Sequence, residues 1–525
     1  MKHHSVTIQL PNGSAITVEP NPNDADKTLA YLLEEKGYGL NTRCGGRGLC
    51  RGCQVYSQDE GSSQTLSACQ IKMEELLERP CSIKIPHSSW HDHTLHGVSC
   101  FDIRLQVSKV KQTGRGVALA LDIGTTTLAG ALWDLSAGQC LADASIANPQ
   151  RKYGDDVLSR ISYSLDEPTG LIHLQRTLVD QGLATLIKVL CGQASCLEGL
   201  ISQATVVGNP VMLHTLLGFR LDGLSKYPFR PAFLNQRSVQ SAEIGLKPGM
   251  PLNLLPALGP FVGADIVAGV LASGMLEAEA SMLLIDFGTN GEIILKHEGS
   301  YLATATAAGP AFEGGRLSCG ASAKAGVVSS IQRHENEWSY VLCPGSSDEA
   351  NGISGAAYVD FMALGLETGL LNPFGRFAVG YPDVSELIAD GDSEHIIRFN
   401  DTTWISEADV AELLQAKAAI GAGVQVLLEI AGLEASDLQT VFIAGGFGYH
   451  LNPAHAIQIG LLPAIPLERI DTIGNAALGG ASLMLQTDFS KEIEVLCQNC
   501  KLIELNQVSS FSDHYTDALL LEEIE

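Results

Sequence analysis

Hydrophobic and polar residues alternate in two short runs at the start of the chain. The runs VTIQL and AITVEP flank Pro11, Asn12 and Gly13, a combination typical of a tight turn between two strands. A helix is predicted next, from Asp24 to Glu35. We therefore expect a small N-terminal domain that begins with a β-hairpin and a helix.

Two strongly apolar strands further along the chain end in the same polar turn. The sequences ALALDIGTTTLAGAL and MLLIDFGTNGEIIL place Asp122 and Asp286 at equivalent strand ends, 164 residues apart. The residues that follow in the two turns are Gly124, Thr125 and Thr126, and Gly288, Thr289 and Asn290. A repeated strand, Asp-x-Gly-Thr turn and strand predicts two related half-domains that face each other across a cleft.

Both turns carry groups that suit phosphate and Mg²⁺. Backbone N–H groups and hydroxyls can donate to phosphate oxygens, and each aspartate can hold Mg²⁺ directly or through water. The alternative is that both are plain β-hairpins without a ligand. Two Asp-x-Gly-Thr turns in register favour phosphate binding, because both offer the same groups to phosphate. We therefore expect Asp122 and Asp286 to be the catalytic carboxylates of a phosphate site.

A third segment completes this prediction. The apolar strand VFIA leads into three glycines, Gly445, Gly446 and Gly448. Glycine lets a backbone pass close to a flat ligand. Upstream, a long helix is predicted with a capping box from Ser406 to Asp409. Lys417 on this helix can reach a nucleotide, although a helical lysine is more often solvated.

Four N-terminal cysteines have a spacing that suits an iron–sulfur cluster. Cys44, Cys50 and Cys53 form a C-x5-C-x2-C pattern in a Gly-rich loop, and Cys69 follows after 15 intervening residues. Four thiolates predict a [2Fe-2S] cluster. Tetrahedral zinc is the alternative, but zinc motifs usually contain two C-x2-C pairs. Cys81 is the alternative to Cys69 as the fourth ligand.

Composition and charge narrow the choice of partners. The chain has 525 residues, which predicts two or more domains, and a formal charge of −26, which argues against nucleic acid. Its 13 cysteines favour metal ligation over a disulfide framework. No signal peptide and no run of about 18 apolar residues is apparent, so we expect a cytoplasmic protein without a membrane partner.

Taken together, these motifs resemble a known family. The Asp-x-Gly-Thr pair and AGGFG resemble the ATPase superfamily that contains acetate and sugar kinases, heat-shock chaperones and actin. Behind a C-x5-C-x2-C ferredoxin, they are similar to the reductive activators of corrinoid proteins. Further phrases that match this family are NPQRKYGDDVLSRI, VVGNPVMLH, FVGADIVAG, AAGPAFEGG and IQIGLLP.

The resemblance implies an architecture. A β-grasp ferredoxin-like α+β domain would occupy residues 1–85 and a linker residues 86–116. A two-lobed, actin-like α/β ATPase domain would occupy residues 117–525, with half-domains at roughly 117–280 and 281–525.

The resemblance also implies a function. ATP and Mg²⁺ would bind at the two Asp-x-Gly-Thr loops, with adenosine on the glycine segment. One electron would pass from the cluster to the Co(II) corrinoid of a methyltransferase-system partner, regenerating Co(I), and the protein would be a homodimer. The upstream electron donor is not implied.

Two features depart from the family pattern. Ala357 stands where the family has the second glycine of a Gly-Ser-Gly step. Larger members insert a middle domain after the linker, whereas about 16 residues separate Cys100 from the first ATPase strand. Three other functions remain open: an ATP-driven electron donor to another low-potential enzyme, a nucleotide-switched redox-sensing binding module, and a sugar kinase.

Overall fold

The computed structural model describes most of the chain. The described residues are 5–10, 14–19, 21, 24–36, 38, 40, 53–59, 62–77, 81–85, 89, 116–334, 337–343, 349–389 and 392–524. They form three principal sheets, each with its own layer of helices.

The N-terminal sheet has five strands in the order β2-β1-β5-β3-β4. Its strands are β1 (Val6–Gln9), β2 (Ala15–Val18), β3 (Gln54–Asp59), β4 (Ser62–Ser67) and β5 (Cys81–Lys84), and its helices are α1 (Leu29–Glu35) and α2 (Met73–Leu76). The two alternating runs do form an antiparallel hairpin. Buried Ile8, Leu29, Leu33 and Ile83 hold α1 against the sheet in a β-grasp arrangement.

The predicted N-terminal helix is shorter than the sequence indicates. It begins at Leu29 and not at Asp24. Thr28 forms an isolated β-bridge with Lys72, and the backbone N–H of Leu29 donates to the carbonyl of Ile71. These contacts with a distant segment fix residues 24–28 as turns before the helix starts.

The second sheet has six strands in the order β10-β11-β9-β6-β7-β8. They are β6 (Val117–Ile123), β7 (Thr127–Asp134), β8 (Gln139–Ala147), β9 (Ile201–Gly208), β10 (Arg237–Gln240) and β11 (Pro251–Leu254). The helices are α3 (Val157–Asp166), α4 (Gly170–Arg176), α5 (Ala184–Gln193), α6 (Pro210–Leu217) and α7 (Ala264–Ala272), with a π-helical segment, Thr177–Leu183, joining α4 to α5. We call this unit the first lobe.

The third sheet, in the second lobe, has the order β21-β20-β12-β13-β14-β22. Its strands are β12 (Met282–Phe287), β13 (Gly291–His297), β14 (Ser300–Thr306), β20 (Thr440–Ala444), β21 (Ile470–Gly474) and β22 (Cys500–Leu502). Smaller sheets contain β15 (Val328–His334), β16 (Glu337–Leu342), β17 (Val384–Ala389), β18 (Asp392–Arg398) and β19 (Trp404–Ser406). The helices are α8 (Gly355–Glu367), α9 (Glu407–Ala431), α10 (Pro453–Gln458), α11 (Ala476–Gln486), α12 (Ser490–Asn499) and α13 (Phe511–Asp517).

The two lobes repeat one topology, as the duplicated motif predicts. In each lobe an antiparallel meander, β6-β7-β8 or β12-β13-β14, continues into two parallel strands, β9 and β11 or β20 and β21. The parallel pairings are the same in both lobes. The expected α/β architecture with duplicated half-domains is therefore confirmed.

Helices α7 and α11 join the lobes. Although α11 belongs to the second half of the chain, it packs on β6 and β9 of the first sheet and against α7. Trp133 Nε1 on β7 donates to Ser482 Oγ on α11 at 3.1 Å. One apolar core includes Leu121 of the first sheet and Leu284 and Phe442 of the third. The half-domains therefore share a core.

Helix α9 confirms the predicted capping box. The N–H of Asp409 donates to Ser406 Oγ at 3.1 Å, and the N–H of Ser406 donates to Asp409 Oδ2 at 3.0 Å. At 25 residues, α9 is long and apolar enough to cross a membrane, but 78% of its most apolar window is buried inside the protein. It serves as a core helix of the second lobe.

Candidate functional site

A cavity of ≈ 260 Å³ lies where the two lobes face each other. Ten of the residues selected from the sequence line it: Asp122, Gly124, Thr125, Thr126, Asp286, Gly288, Thr289, Asn290, Gly445 and Gly446. The strand ends β6 and β12 supply the two aspartates, and the end of β20 supplies the glycines. Duplicated topology thus brings together three segments that are far apart in the chain.

The first turn is held with its carbonyl groups directed away from the cavity. Asn148 Nδ2 donates to the carbonyl of Gly124 at 2.8 Å, and the backbone N–H of Asn148 donates to the carbonyl of Thr126 at 2.8 Å. Arg160 Nη2 donates to the carbonyl of Thr125 at 2.6 Å. Because N–H and C=O point in opposite directions in a trans peptide, these contacts direct the N–H groups of Thr125 and Thr126 toward the cavity. The first turn is therefore arranged to bind an anion.

Arg160 is the largest fully buried side chain of the described residues. Besides Thr125, its guanidinium donates to the carbonyl of Gly154 at 2.9 Å and to Gln150 Oε1 at 3.1 Å. Burial lowers its pKa to about 9, while the charge of nearby Asp155 opposes that shift. Sequence reasoning did not select Arg160 or Asn148, although both lie in the phrase NPQRKYGDDVLSRI.

Gly445 shows why glycine is required at the end of β20. Its φ is +91°, and a Cβ atom there would lie 2.4 Å from the carbonyl oxygen of Phe287 and 2.9 Å from Asp286 Oδ1. The same geometry brings the glycine segment directly against the second Asp-x-Gly-Thr turn. Any side chain at residue 445 would displace Asp286 from its place in the cavity.

Four carboxylates line the cavity, of which Glu292 is buried and Asp122, Asp265 and Asp286 are half-buried. Burial raises the pKa of Asp122 to about 7, of Asp265 to about 6 and of Asp286 to about 8. Burial also raises the pKa of Glu292 well above its usual range. Mutual repulsion adds to the shift of Asp286, whereas Asn475 Nδ2, which donates to Asp122 Oδ2 at 2.9 Å, lowers the pKa of Asp122. The described residues contain no group of three or more His, Cys, Asp or Glu side chains placed to hold a metal ion. Carboxylate oxygens are nevertheless the hard donors that Mg²⁺ prefers, and Mg²⁺ commonly needs only one or two of them beside phosphate and water.

Three side chains join the two turns directly. Thr126 Oγ1 of the first lobe and Thr289 Oγ1 of the second lie 2.9 Å apart. Both hydroxyls contact Glu313 Oε2, at 2.9 and 3.0 Å respectively. Glu313 belongs to the phrase AAGPAFEGG but was not selected from the sequence.

The structure does not bring Gly448 and Lys417 to the cavity. Gly448 begins a short 3₁₀ turn beyond the two lining glycines. Lys417 is buried, and its Nζ donates to the carbonyl of Leu520 at 2.6 Å, which ties α9 to the C-terminal segment. Burial lowers the pKa of Lys417 to about 7. The alternative reading of Lys417 as a solvated surface lysine is wrong as well, because the side chain is buried.

Ala357 lies beside the cavity without lining it. Its N–H donates to Ser354 Oγ at 3.3 Å, which caps α8. The lining residues of this segment are Ser354, Gly355 and Ala356. A Cβ atom on Gly355 would lie 2.0 Å from the carbonyl oxygen of Phe312, so the retained glycine is the one that close packing requires.

Two of the four selected cysteines are described, and both are buried at the same end of β3 and β4. The N–H of Ala68 donates to the carbonyl of Cys53 at 3.0 Å, which places Cys69 next to Cys53. Gln70 Nε2 lies 3.6 Å from Cys69 Sγ, as a donor that favours a thiolate. Cys44 and Cys50 lie outside the described residues.

Strand register separates Cys81 from this pair. Cys81 lies one residue beyond the Gln58–Ser82 pair of β3 and β5. That position is six residues along β3 from Cys53, or about 20 Å at the usual rise per strand residue. The backbone of residue 81 is therefore remote from that of Cys53.

Comparison with known proteins assigns the two lobes to one family. The family model described as the RACo middle region matches residues 117–278, and the model described as the C-terminal domain of RACo, the ASKHA domain, matches residues 280–525. The chain belongs to the RACo family. Because the first lobe matches the RACo middle region, the expectation that this chain lacks a middle domain is wrong.

Individual RACo-like proteins align along most of their length. A solved structure of a reductive activator for corrinoid, iron–sulfur protein is 25% identical, with a TM-score of 0.71 and 99% of both chains covered. Corrinoid activation enzyme RamQ of Eubacterium limosum is 27% identical over 540 residues, which cover 88% of this chain and 90% of RamQ. The [Co(II) methylated amine-specific corrinoid protein] reductase of Methanosarcina barkeri is 24% identical over 392 residues, which cover 69% of this chain and 68% of the reductase.

Proposed function

We propose that the chain is an ATP-dependent reductive activator that transfers one electron to the Co(II) corrinoid of a methyltransferase-system partner and regenerates Co(I). The observation that carries this proposal is the end-to-end similarity, over 99% of both chains, to a reductive activator for corrinoid, iron–sulfur protein. The two curated relatives are a corrinoid activation enzyme and a Co(II) corrinoid protein reductase. The names of all three refer to a corrinoid or to a corrinoid protein, and a corrinoid protein is the partner proposed here.

The proposed electron carrier is a [2Fe-2S] cluster held by Cys44, Cys50, Cys53 and Cys69. Support comes from the shared burial of Cys53 and Cys69 and from the distance of about 20 Å that strand geometry gives Cys81. Such a cluster, when bound, supplies a one-electron carrier. The protein's part is to shield the two thiolates from water and to donate to Cys69 Sγ from Gln70.

The proposed nucleotide site is the cavity between the lobes. The N–H groups and hydroxyls of the two Asp-x-Gly-Thr turns would bind the phosphates, and Gly445 and Gly446 would contact the adenosine. Asp122 and Asp286 would hold Mg²⁺. A divalent cation would offset the repulsion that raises the pKa of Asp286, which is why the donor set fits the metal.

ATP is required in this proposal because Co(II) reduction is uphill from most ferredoxins. For a one-electron couple, a tenfold change in equilibrium takes about 59 mV. Nucleotide that contacts both lobes would favour one arrangement of the cleft. A corrinoid partner whose affinity differs between the arrangements would then bind more tightly or be released when nucleotide binds. Helices α7 and α11, which join the two lobes, would transmit this arrangement through the shared core.

We also propose the organisation of the chain in the cell. Residues 1–85 would form the ferredoxin-like domain, 86–116 the linker and 117–525 the ATPase domain. The protein would be cytoplasmic, because thiolate ligands persist in a reducing compartment. It would also be a homodimer, as the family resemblance implies. A formal charge of −26 does not favour a nucleic-acid partner.

The function is tested by anaerobic visible spectroscopy. Protein, chemical reductant, Mg²⁺-ATP and a candidate corrinoid protein should convert the Co(II) absorption into the Co(I) band. Omission of ATP should leave most of the cobalt as Co(II). The variant without residues 1–85 should hydrolyse ATP but fail to reduce the corrinoid, because it lacks the electron carrier. Equal reduction by the truncated protein, or without ATP, would instead favour a nucleotide-switched redox-sensing module.

A further inference from the structure

Glu313 occupies the point where the two phosphate turns meet. It ends a short 3₁₀ turn, Pro310–Glu313, that follows β14 in the second lobe. Gly309 and Gly314 flank this turn with φ of +73° and +79°. A Cβ atom on Gly314 would lie 2.4 Å from the backbone nitrogen of Ala321, so the turn is held tightly against the next segment. The carboxylate of Glu313 is therefore directed into the cavity by a constrained backbone.

The contacts of Glu313 Oε2 reproduce those that a phosphate oxygen would make. One hydroxyl, on Thr126, comes from the first lobe, and the other, on Thr289, comes from the second. The two hydroxyls are 2.9 Å apart, so a single oxygen atom contacts both. ATP that bridges the turns must place terminal phosphate oxygens at these hydroxyls. The carboxylate then shifts by about one hydrogen-bond length, roughly 3 Å, and lies beside the terminal phosphate.

We infer that Glu313 is the general base that activates water for ATP hydrolysis, an inference that rests on the proposed nucleotide function. The Glu313 carboxylate accepts a proton from water as the water oxygen forms a bond to the terminal phosphorus. The bond between that phosphorus and the oxygen shared with the β-phosphate breaks, and ADP leaves with the electron pair. The products are ADP, inorganic phosphate and a proton on Glu313, which is released to solvent.

The other acidic residues of the cavity have different contacts. Asp122 accepts from Asn475, and Asp265 accepts from the N–H of Ile266 at 2.9 Å at the start of α7. Glu313 is distinguished by hydroxyl contacts from both lobes and by having no hydrogen-bond donor to Oε1 among the described residues. Once phosphate has taken the two hydroxyls, the Glu313 carboxylate is released to accept a proton from water.

Charged neighbours of Glu313 suit this role. Burial raises its pKa, and Asp155 raises it further, whereas the two threonine hydroxyls and Arg151 lower it. Asp286 lies close enough for Glu313 to raise the pKa of that residue. Arg151 Nε donates to Asp155 Oδ1 at 2.9 Å, and among the described residues no ion pair joins Arg151 to Glu313. A base with a raised pKa accepts a proton from water more readily in the transition state.

The test compares Glu313→Gln with the parent protein. Glu313→Gln keeps the shape of the side chain but removes the base, so ATP hydrolysis should fall at least about 100-fold. Affinity for a non-hydrolysable ATP analogue should stay the same or increase, because a carboxylate that competes with phosphate for Thr126 and Thr289 has been removed. The matched control is Glu492→Gln, an exposed glutamate on α12, and this variant should hydrolyse ATP at the parental rate.

Chemical rescue separates a base from a structural contact. Glu313→Ala should recover hydrolysis when formate is added, because a small carboxylate can enter the vacated space and accept the proton. The inference is overturned if Glu313→Gln hydrolyses ATP within about threefold of the parent, or if formate has no effect on Glu313→Ala. If the parent protein itself neither binds nor hydrolyses ATP, the proposed function fails first, and that outcome is visible before any variant is compared.

Discussion

Arg160 shows how a buried charge can shape a cavity that it does not itself line. Its guanidinium donates to the carbonyl of Thr125 in the first Asp-x-Gly-Thr turn. Removal of all water from a guanidinium is costly unless its donors are satisfied, and here carbonyl and amide oxygens accept from it. These hydrogen bonds hold a turn in which the N–H groups of Thr125 and Thr126 face the cavity. Arg160 and Asn148 therefore fix the backbone conformation of the first Asp-x-Gly-Thr turn without lining the cavity.

The proposed cluster ligands give a prediction at the same scale. Cys69→Ser should lose the iron and the labile sulfide, because the structure buries Cys69 beside Cys53. Cys81→Ser should keep both, because β5 places Cys81 about 20 Å from Cys53. Iron and sulfide content and the visible spectrum of anaerobically purified protein provide the measurement. Retention of the cluster in Cys69→Ser and its loss in Cys81→Ser would reverse the assignment.

Among the secondary-structure elements, the crossing of α7 and α11 connects the two lobes. Gly480 on α11 lies directly against α7, since a Cβ atom there would lie 2.0 Å from the carbonyl oxygen of Ala268. A Cβ atom added to Gly269 on α7 would lie 3.1 Å from Leu284 Cδ2 and 3.6 Å from Ala476 Cβ. Small residues at this crossing allow the helices to approach closely and to form one core with both sheets.

A methyl group at the crossing should destabilise the protein. Gly480→Ala should lower the free energy of unfolding by about 1–3 kcal/mol, because the helices must separate to accept it. The matched control is Gly192→Ala on α5, where no atom lies within 4 Å of a Cβ atom. There the exchange should stabilise the helix by about 0.5–1 kcal/mol. Thermal and denaturant unfolding measure the free energy of unfolding of the two variants. Equal changes in Gly480→Ala and Gly192→Ala would contradict the proposed packing.

For the whole molecule, the shared core means that the lobes are not independent folding units. The first sheet is covered by α11, a helix that lies more than 260 residues after the end of β9 in the sequence. Trp133 Nε1, which donates to Ser482 Oγ on α11, is part of this interface. The first lobe therefore depends on a helix from the second half of the chain to cover its sheet.

Separation of the lobes should expose this interface. A fragment of residues 117–278 should bind a hydrophobic dye and lack a cooperative unfolding transition, because the face covered by α11 becomes exposed to water. The fragment 117–525 should unfold cooperatively and bind little dye. Dye fluorescence and calorimetry distinguish the two fragments. A stable, cooperative 117–278 fragment would show that the first lobe does not need α11.

Sequence alone determined the parts of this protein that depend on neighbouring residues. The end of an apolar strand at Asp122 or Asp286, the glycine-rich turns, the hairpin around residues 11–13 and the capping box of α9 are all local patterns. Repetition of one pattern was sufficient to predict two related lobes. Cysteine spacing was sufficient to propose the cluster ligands.

Tertiary structure decided the contacts between residues that are distant in the chain. Glu313 meets Thr126 across 187 residues, Thr126 meets Thr289 across 163, and Asn475 meets Asp122 across 353. The burial of Lys417 under the C-terminal segment and the start of α1 at Leu29 likewise depend on distant partners. Local patterns specify which conformation a segment favours. Which side chains then meet depends on how the segments pack to bury their apolar faces, and no short stretch of sequence contains that information.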